Sequence, residues 1–207
     1  VGKTTLFNII SGLSYPDQGR ILLDNNNITG KTGYISYMLQ KDLLLPYKTV
    51  IDNVSLPLVI KGETKKIARQ KANRYFKTFG IDGSQYKYPN QLSGGMKQRA
   101  ALLRTYLFSQ QVALLDEPFS ALDAITKSNM HSWYLNVMEK IKLSTLFITH
   151  DIDEAIILSN RVYIMKGKPG HITEEIKIEC KRPRKKEFVL SNEFIKYKRH
   201  ILNVLAK

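Results

Sequence analysis

Cysteine is nearly absent from this chain: Cys180 is the only one among 207 residues. That excludes an internal disulfide and any cysteine-built metal site. The four histidines fall at no metal-ligand spacing. No apolar run approaches the roughly 18 to 20 residues that cross a bilayer, and there is no internal repeat or low-complexity linker. Acidic residues are in deficit, 18 against 32 Lys and Arg, which leaves a net charge of +14 and a pI near 9.7. What remains is ordinary: 43% hydrophobic residues and a mean hydropathy of -0.25. A chain of this length buries a sizeable core, most simply as one domain, residues 1–207.

A basic excess can serve nucleic acid, an anionic membrane surface, or solubility. The lysines between 61 and 77 are spread along a helical pattern and read as a solvated face. One cluster is denser: Lys181, Arg182, Arg184, Lys185 and Lys186 around Pro183. It reads either as a contact for anionic lipid or a partner, or as plain surface. No basic patch is interleaved with aromatics, so a nucleic-acid partner is not expected.

Strand and helix signals alternate at both ends of the chain. A helix is expected from Thr4 to Gly12, turn chemistry at Pro16-Asp17-Gln18-Gly19, and short strands at Arg20–Leu23 and Tyr34–Leu39. From 41 to 100 the pattern becomes helical. Ile67, Ala68, Ala72, Tyr75, Phe76 and Phe79 recur at three- and four-residue spacing, and Gly80 is a natural stop. Val112 to Leu115 is a short continuous apolar run, as a parallel strand buried on both faces requires. Met130, Trp133, Tyr134, Val137, Met138 and Ile141 mark one stripe of a helix. A buried strand is expected at Ser144–Thr149, a helix at Ile152–Ser159, and more exposed strands at Arg161–Met165 and Ile172–Glu179. A terminal amphipathic helix is expected within 187–207. This is the signature of an α/β fold: a parallel sheet core with a helical subdomain inserted at 41–100.

The chemistry sits in a few motifs. Val1-Gly2-Lys3-Thr4-Thr5 matches the end of G-x-x-x-x-G-K-[ST], a loop whose backbone N–H groups cradle phosphates, whose Lys neutralises β and γ oxygens, and whose Ser or Thr holds Mg²⁺. The pattern puts its first glycine before Val1, so the sequence reads as starting inside the loop. The helix that follows turns its N-terminus toward the anion, and Thr5 is placed to donate as well. Asp116 and Glu117 close an apolar strand, where open α/β sheets put ligands. Asp116 is suited to Mg²⁺, and Glu117 to orienting the attacking water, because phosphoryl transfer is mostly positioning and electrostatics. Ser93, Gly94 and Gly95 open a second helix and form a second anion-binding nest.

Leu92-Ser93-Gly94-Gly95 with Lys97-Gln98-Arg99 resembles the signature of the ATP-binding cassette ATPases. Ser120-Ala121-Leu122-Asp123 is similar to their D-loop, Gln40 to their Q-loop glutamine, and His150 to their switch histidine. The resemblance spans essentially the whole chain. It implies ATP and Mg²⁺ as ligands, with Gly2, Lys3, Thr4, Thr5, Gln40, Asp116 and Asp123 at the nucleotide, and Thr4, Gln40 and Asp116 at the metal. Glu117 and His150 would be catalytic. It also implies a head-to-tail dimer, in which Ser93, Gly94 and Gly95 of one subunit close on the other's nucleotide. The adenine-stacking aromatic of this family precedes the phosphate loop; Tyr15, Tyr34 and Tyr37 follow it. Residues 1–207 alone are therefore expected to bind ATP poorly.

The segment after Met165 and the Pro118–Ala124 run further resemble cassettes serving nitrate, sulfonate and taurine importers. Ala124–Glu154 resembles those serving a pyrimidine precursor of thiamine. That implies a peripheral subunit at the cytoplasmic face of the plasma membrane, paired with integral membrane permeases. The apolar residues of 41–61 would help form the groove that receives a permease helix. The alternative is a soluble ATPase of the same family associated with nucleic acid or ribosomes. The spacing between loop and signature leaves no room for the long coiled coils or zinc modules of repair members.

Overall fold

The computed structural model describes residues 2–109, 111–180, 184 and 186–206. In chain order the elements are α1 (Lys3–Ile10), β1 (Leu22–Leu23), β2 (Asn26–Asn27), β3 (Ser36–Met38), α2 (Val50–Ile60), α3 (Lys65–Asn73) and α4 (Gly94–Phe108). They continue with β4 (Val112–Asp116), α5 (Ala124–Ile141), β5 (Ser144–Ile148), α6 (Ile152–Leu158), β6 (Arg161–Lys166), β7 (His171–Lys177) and α7 (Asn192–Ala206).

Strands β3, β4 and β5 form a parallel sheet in that order, with Leu114 of β4 opposite both Tyr37 and Leu146. Parallel neighbours need long crossovers. Here α2 to α4 supply the first and α5 the second, so the expected parallel α/β core is present. The central strand β4 is buried from Ala113 to Asp116, consistent with its uninterrupted apolar run. Strand β5 departs from the expected burial. Thr145, Leu146 and Phe147 are only half-buried, because β5 ends the sheet and borders a cavity of about 610 Å³ that α1 and β6 also line.

The main core joins α2, α4, α5 and β4 through Val54, Leu103, Leu115, Phe119 and Tyr134, each at most 2% exposed. A second cluster packs α6, β6 and β7 against α7 through Ile156, Ile164, Phe194 and Ile201. β6 and β7 pair antiparallel, and they are the more exposed strands expected, with only Ile164 of β6 and Ile176 of β7 buried.

Several boundaries move for local reasons. Helix α1 stops at Ile10 rather than Gly12, where φ is +79° and a Cβ would lie 2.4 Å from Lys31 O. The early strands are shorter than expected. Leu22–Leu23 turns back as a two-residue hairpin on Asp24 and Asn25, whose φ of +48° and +64° suit the right-handed twist of such ribbons. Helix α3 ends at Asn73, so Phe76 and Phe79 reach the core from the turns after it, while Ile67 faces outward. Gly80, at φ +65°, therefore ends the turns that follow α3 and not the helix itself, which stops seven residues earlier than the expected position.

The basic cluster divides. Arg184 is buried and donates to the carbonyls of Ile156, Ile157 and Ser159 at 2.9, 2.8 and 2.7 Å, satisfying the C-terminus of α6. It belongs to the interior, not to a surface patch. Lys181, Arg182, Pro183 and Lys185 lie outside the described residues.

Candidate nucleotide site

The carboxyl ends of the three parallel strands carry the chemistry: Gln40 just past β3, Asp116 and Glu117 at the end of β4, and His150 just past β5. Helix α1 joins them. Its Thr4 Oγ1 donates to Asp116 Oδ2 at 3.5 Å, and Lys3 is close enough for its charge to act on Asp116. Gly2 is the N-cap at φ +90°, with no side-chain cap and no acid in the first turn. The first N–H groups of α1 therefore point outward as a positive dipole end. Thr5 is exposed on the same turn.

Glu117 has φ +45°, a left-handed conformation that disfavours any residue with a Cβ. Its own N–H donates to Ile148 O at 2.9 Å, and Ser120 Oγ donates to its carbonyl at 2.9 Å. The turn is thus fixed by the neighbouring strand. Its carboxylate meets two of the other predicted residues, with His150 Nδ1 3.2 Å from Oε2 and Gln40 Nε2 donating to Oε2 at 3.3 Å. Gln40 also donates to Ser120 Oγ at 3.4 Å. Thr4, Asp116 and Lys3 thus converge, as do Glu117, His150 and Gln40. Of the three expected metal residues, Gln40 rests on Glu117 and Ser120 rather than on Thr4 and Asp116.

Tyr37 adds a residue that the motifs do not mark. Its hydroxyl donates to Asp116 Oδ2 at 3.4 Å, and burial together with Asp116 pushes the phenol up to about 12. Burial also raises Asp116, and the charge of Glu117 adds to that. Hydrogen bonds from Tyr37 and Thr4, and the charge of Lys3, work against it. A buried carboxylate held above its ordinary range is primed for a cation. Thr hydroxyl and Asp carboxylate are the hard oxygen donors that Mg²⁺ takes, one or two at a time, beside phosphate oxygens. The residues present therefore fit a nucleotide-bound Mg²⁺.

The second nest lies elsewhere. Ser93 caps α4, its Oγ accepting from Met96 N–H at 3.3 Å. A Cβ at Gly94 would meet Leu122 at 3.4 Å, and one at Gly95 would meet Met130 and Thr126 at 3.6 Å, all ordinary contacts. Neither glycine has positive φ. The chain itself thus gives no steric reason for two glycines at a helix start, where each costs up to about 1 kcal/mol relative to Ala. Asp123 stands next to this nest and caps α5 through Thr126 N–H at 3.0 Å, which holds its carboxyl below the ordinary range.

The profile of the ABC transporter family matches residues 1–120. This chain belongs to the ABC transporter family. Accordingly, it is one of the ATP-binding cassettes of that family, and an ATPase. The formylaminopyrimidine import ATP-binding protein ThiZ of Halalkalibacterium halodurans is 47% identical over 186 residues, 90% of this chain and 72% of that protein. The aliphatic sulfonates import ATP-binding protein SsuB of Bacillus cereus is 41% identical over 185 residues, 89% of this chain and 72% of that protein. Among solved structures, cbiO1 from Clostridium perfringens, part of a transporter complex, superposes with a TM-score of 0.77 at 25% identity, covering 99% of this chain and 81% of that one. The ATP-binding cassette MJ0796, solved as a dimer bound to ADP and Pi, superposes at 0.69 with 29% identity, covering 86% and 82%. Among the described residues, no helix is long and apolar enough to cross a membrane.

Proposed function

We propose that this cassette is the ATP-hydrolysing subunit of an importer, working as a head-to-tail pair on permease subunits at the cytoplasmic face of the plasma membrane. The observation that carries the reading is the gathering of Lys3, Thr4, Asp116, Glu117, His150 and Gln40 at one end of the parallel sheet. The importer names of ThiZ and SsuB support the direction of transport, and the solutes in those names are consistent with a small polar cargo.

Within the site, Gly2, Lys3, Thr4 and Thr5 hold the phosphates on the open end of α1. Thr4 and Asp116 would hold Mg²⁺, which would supply neutralisation of phosphate charge. Glu117 orients the attacking water and takes its proton. His150 keeps the Glu117 carboxylate aligned and reaches the γ-phosphate. Gln40 reports the state of this carboxylate to the segment after β3. Ser93, Gly94 and Gly95 close on the partner subunit's nucleotide, which accounts for glycines that the fold does not need, and Asp123 links the two sites. A groove of about 360 Å³ lined by Leu39, Leu43, Leu56, Ile60, Arg104 and Phe108 adjoins Gln40. Ile60 and Leu43 are 73% and 52% exposed there, which suits docking of an apolar permease helix.

Replacing Glu117 by Gln in the full-length protein tests this. Hydrolysis should fall by about 10² to 10³-fold, and the protein should accumulate as an ATP-bound dimer on size-exclusion chromatography. Turnover at the normal rate would remove Glu117 from its role.

A further inference from the structure

We propose that His131, paired with Glu154, is a positioning residue of the hydrolytic site that sets the separation between the Glu117 turn and the His150 turn. This rests on the roles given above to Glu117 and His150.

His131 lies on the buried side of α5, with its Nε2 2.8 Å from Glu154 Oε1. The two side chains are only 11% and 3% exposed. The carboxylate accepts, so Nε2 carries the hydrogen. One turn earlier on α5, Lys127 Nζ lies 3.4 Å from Asp151 Oδ2. Asp151 and Glu154 are the N-cap and the first turn of α6, immediately after His150. Two cationic or donor side chains at i and i+4 on α5 thus meet two carboxylates at i and i+3 on α6, the spacing that puts each pair on one helix face.

The backbone around His150 is tied into the same contacts. Asp151 N–H donates to Thr149 Oγ1 at 2.9 Å, and Glu154 N–H donates to Asp151 Oδ1 at 3.1 Å. His150 therefore sits in a turn whose two sides are bonded to each other and whose helix is held by α5.

The other side of the His131 ring faces Phe119, two residues beyond Glu117, with ring centroids 5.7 Å apart. Phe119 cannot drift, because Tyr134 and Phe147 enclose it at 5.9 Å each. One buried imidazole thus spans from the Glu117 segment to the His150 segment. Among the described residues its polar and ring contacts are these two, so it acts through them and not on nucleotide or water.

Core stability alone does not call for this arrangement. Two apolar side chains of similar volume fill such a space as well or better than a buried polar pair. A hydrogen bond fixes a length and a direction that apolar contacts leave free to slide, and the 3.2 Å separation of His150 from Glu117 needs both.

The experiment uses full-length protein assembled with its permease in nanodiscs, comparing wild type, His131→Gln, His131→Leu, and the double variant His131→Leu/Glu154→Met. Glu117→Gln is the inactive control. Steady-state kcat and KM for ATP are measured beside the melting temperature. His131→Leu should lose about tenfold in kcat with KM within about twofold. His131→Gln, whose amide can donate to Glu154, should keep kcat within about twofold. The double variant removes the unpaired carboxylate and should recover the melting temperature while staying at least about fivefold slow. Full kcat in the double variant overturns the proposal. So does a His131→Gln protein as slow as His131→Leu at a wild-type melting temperature. If His131→Leu does not fold, the double variant decides alone. Normal hydrolysis by Glu117→Gln would instead mark failure of the underlying site reading, a different outcome from either of these.

Discussion

Helices α1 and α4 both begin at glycine-bearing turns proposed to meet phosphate, yet they treat their free N–H groups in opposite ways. Helix α1 starts at Gly2 with no capping side chain and no acid in its first turn. Helix α4 starts at Ser93, whose hydroxyl already accepts from Met96 N–H. Every other helix described has one device or the other. Thr64 caps α3, Asp123 caps α5, Asp151 caps α6 and Ser191 caps α7, while α2 has Asp52 in its first turn. The contrast teaches that α1 contributes donors that no side-chain cap among the described residues uses, so a phosphate is their natural acceptor. Helix α4 is self-sufficient, and its two glycines leave a smooth, small-residue end for contact with something outside the subunit.

The strongest way to break this comparison is at Lys3. Replacing Lys3 by Ala removes the only cation in the first turn of α1 while touching no capping bond. A charge-assisted contact of this kind is worth about 1.5–3 kcal/mol. ATP affinity of the full-length protein should therefore fall by about 10 to 100-fold by calorimetry, with an unchanged melting temperature. A lower melting temperature with undiminished affinity would mean that Lys3 serves the fold. Next in size is Ser93→Ala, which should behave the other way. Loss of the cap costs about 1 kcal/mol of stability, and ATP binding by a single subunit should be unaffected. Hydrolysis by the assembled dimer should fall by about tenfold, since the second nest loses a donor. Equal loss of ATP binding in monomer and dimer would erase the distinction between the two helix ends.

The parts of this arrangement that could be read in advance were those governed by local spacing. The run from Val112 to Leu115 is apolar at every position because both faces of β4 are covered, and Asp116 ends it at the ligand side of the sheet. The Met130–Ile141 stripe follows from one face of α5 packing inward. What could not be read depends on partners distant in sequence. Tyr37 reaches Asp116 across 79 positions, and His131 reaches Glu154 across 23. Each looks like an ordinary strand or helix residue until the sheet is assembled. Arg184 was hidden for a different reason. Periodicity and charge density report average exposure, so one buried guanidinium inside a basic cluster has no local mark. The half-exposed β5 is invisible for the same reason: its sequence is apolar, and only its place at the sheet edge opens it to the cavity.

The smallest predicted effect sharpens the comparison from the helical side. Asp52, in the first turn of α2, is the opposite of the open α1 start. Arg69 donates to both its carboxylate oxygens at 2.9 and 2.8 Å. Arg69 is the main reason its carboxyl lies below the ordinary range, with Thr49 and Lys65 helping and burial working against them. A folded pKa that is depressed means that the unfolded chain binds the proton more readily. The pair therefore stabilises the fold fully above the unfolded value near 4, and that contribution is lost as pH falls through the folded value. Asp52→Asn should cost about 0.5–1 kcal/mol at pH 7, because Arg69 is partly exposed and the pair is screened. In urea melts the gap between wild type and variant should hold from pH 7 to about 5 and close between about pH 4 and 2. A constant Asp52→Asn deficit down to pH 2 would mean that packing of the side chain, and not its charge at the start of α2, is what stabilises the helical side.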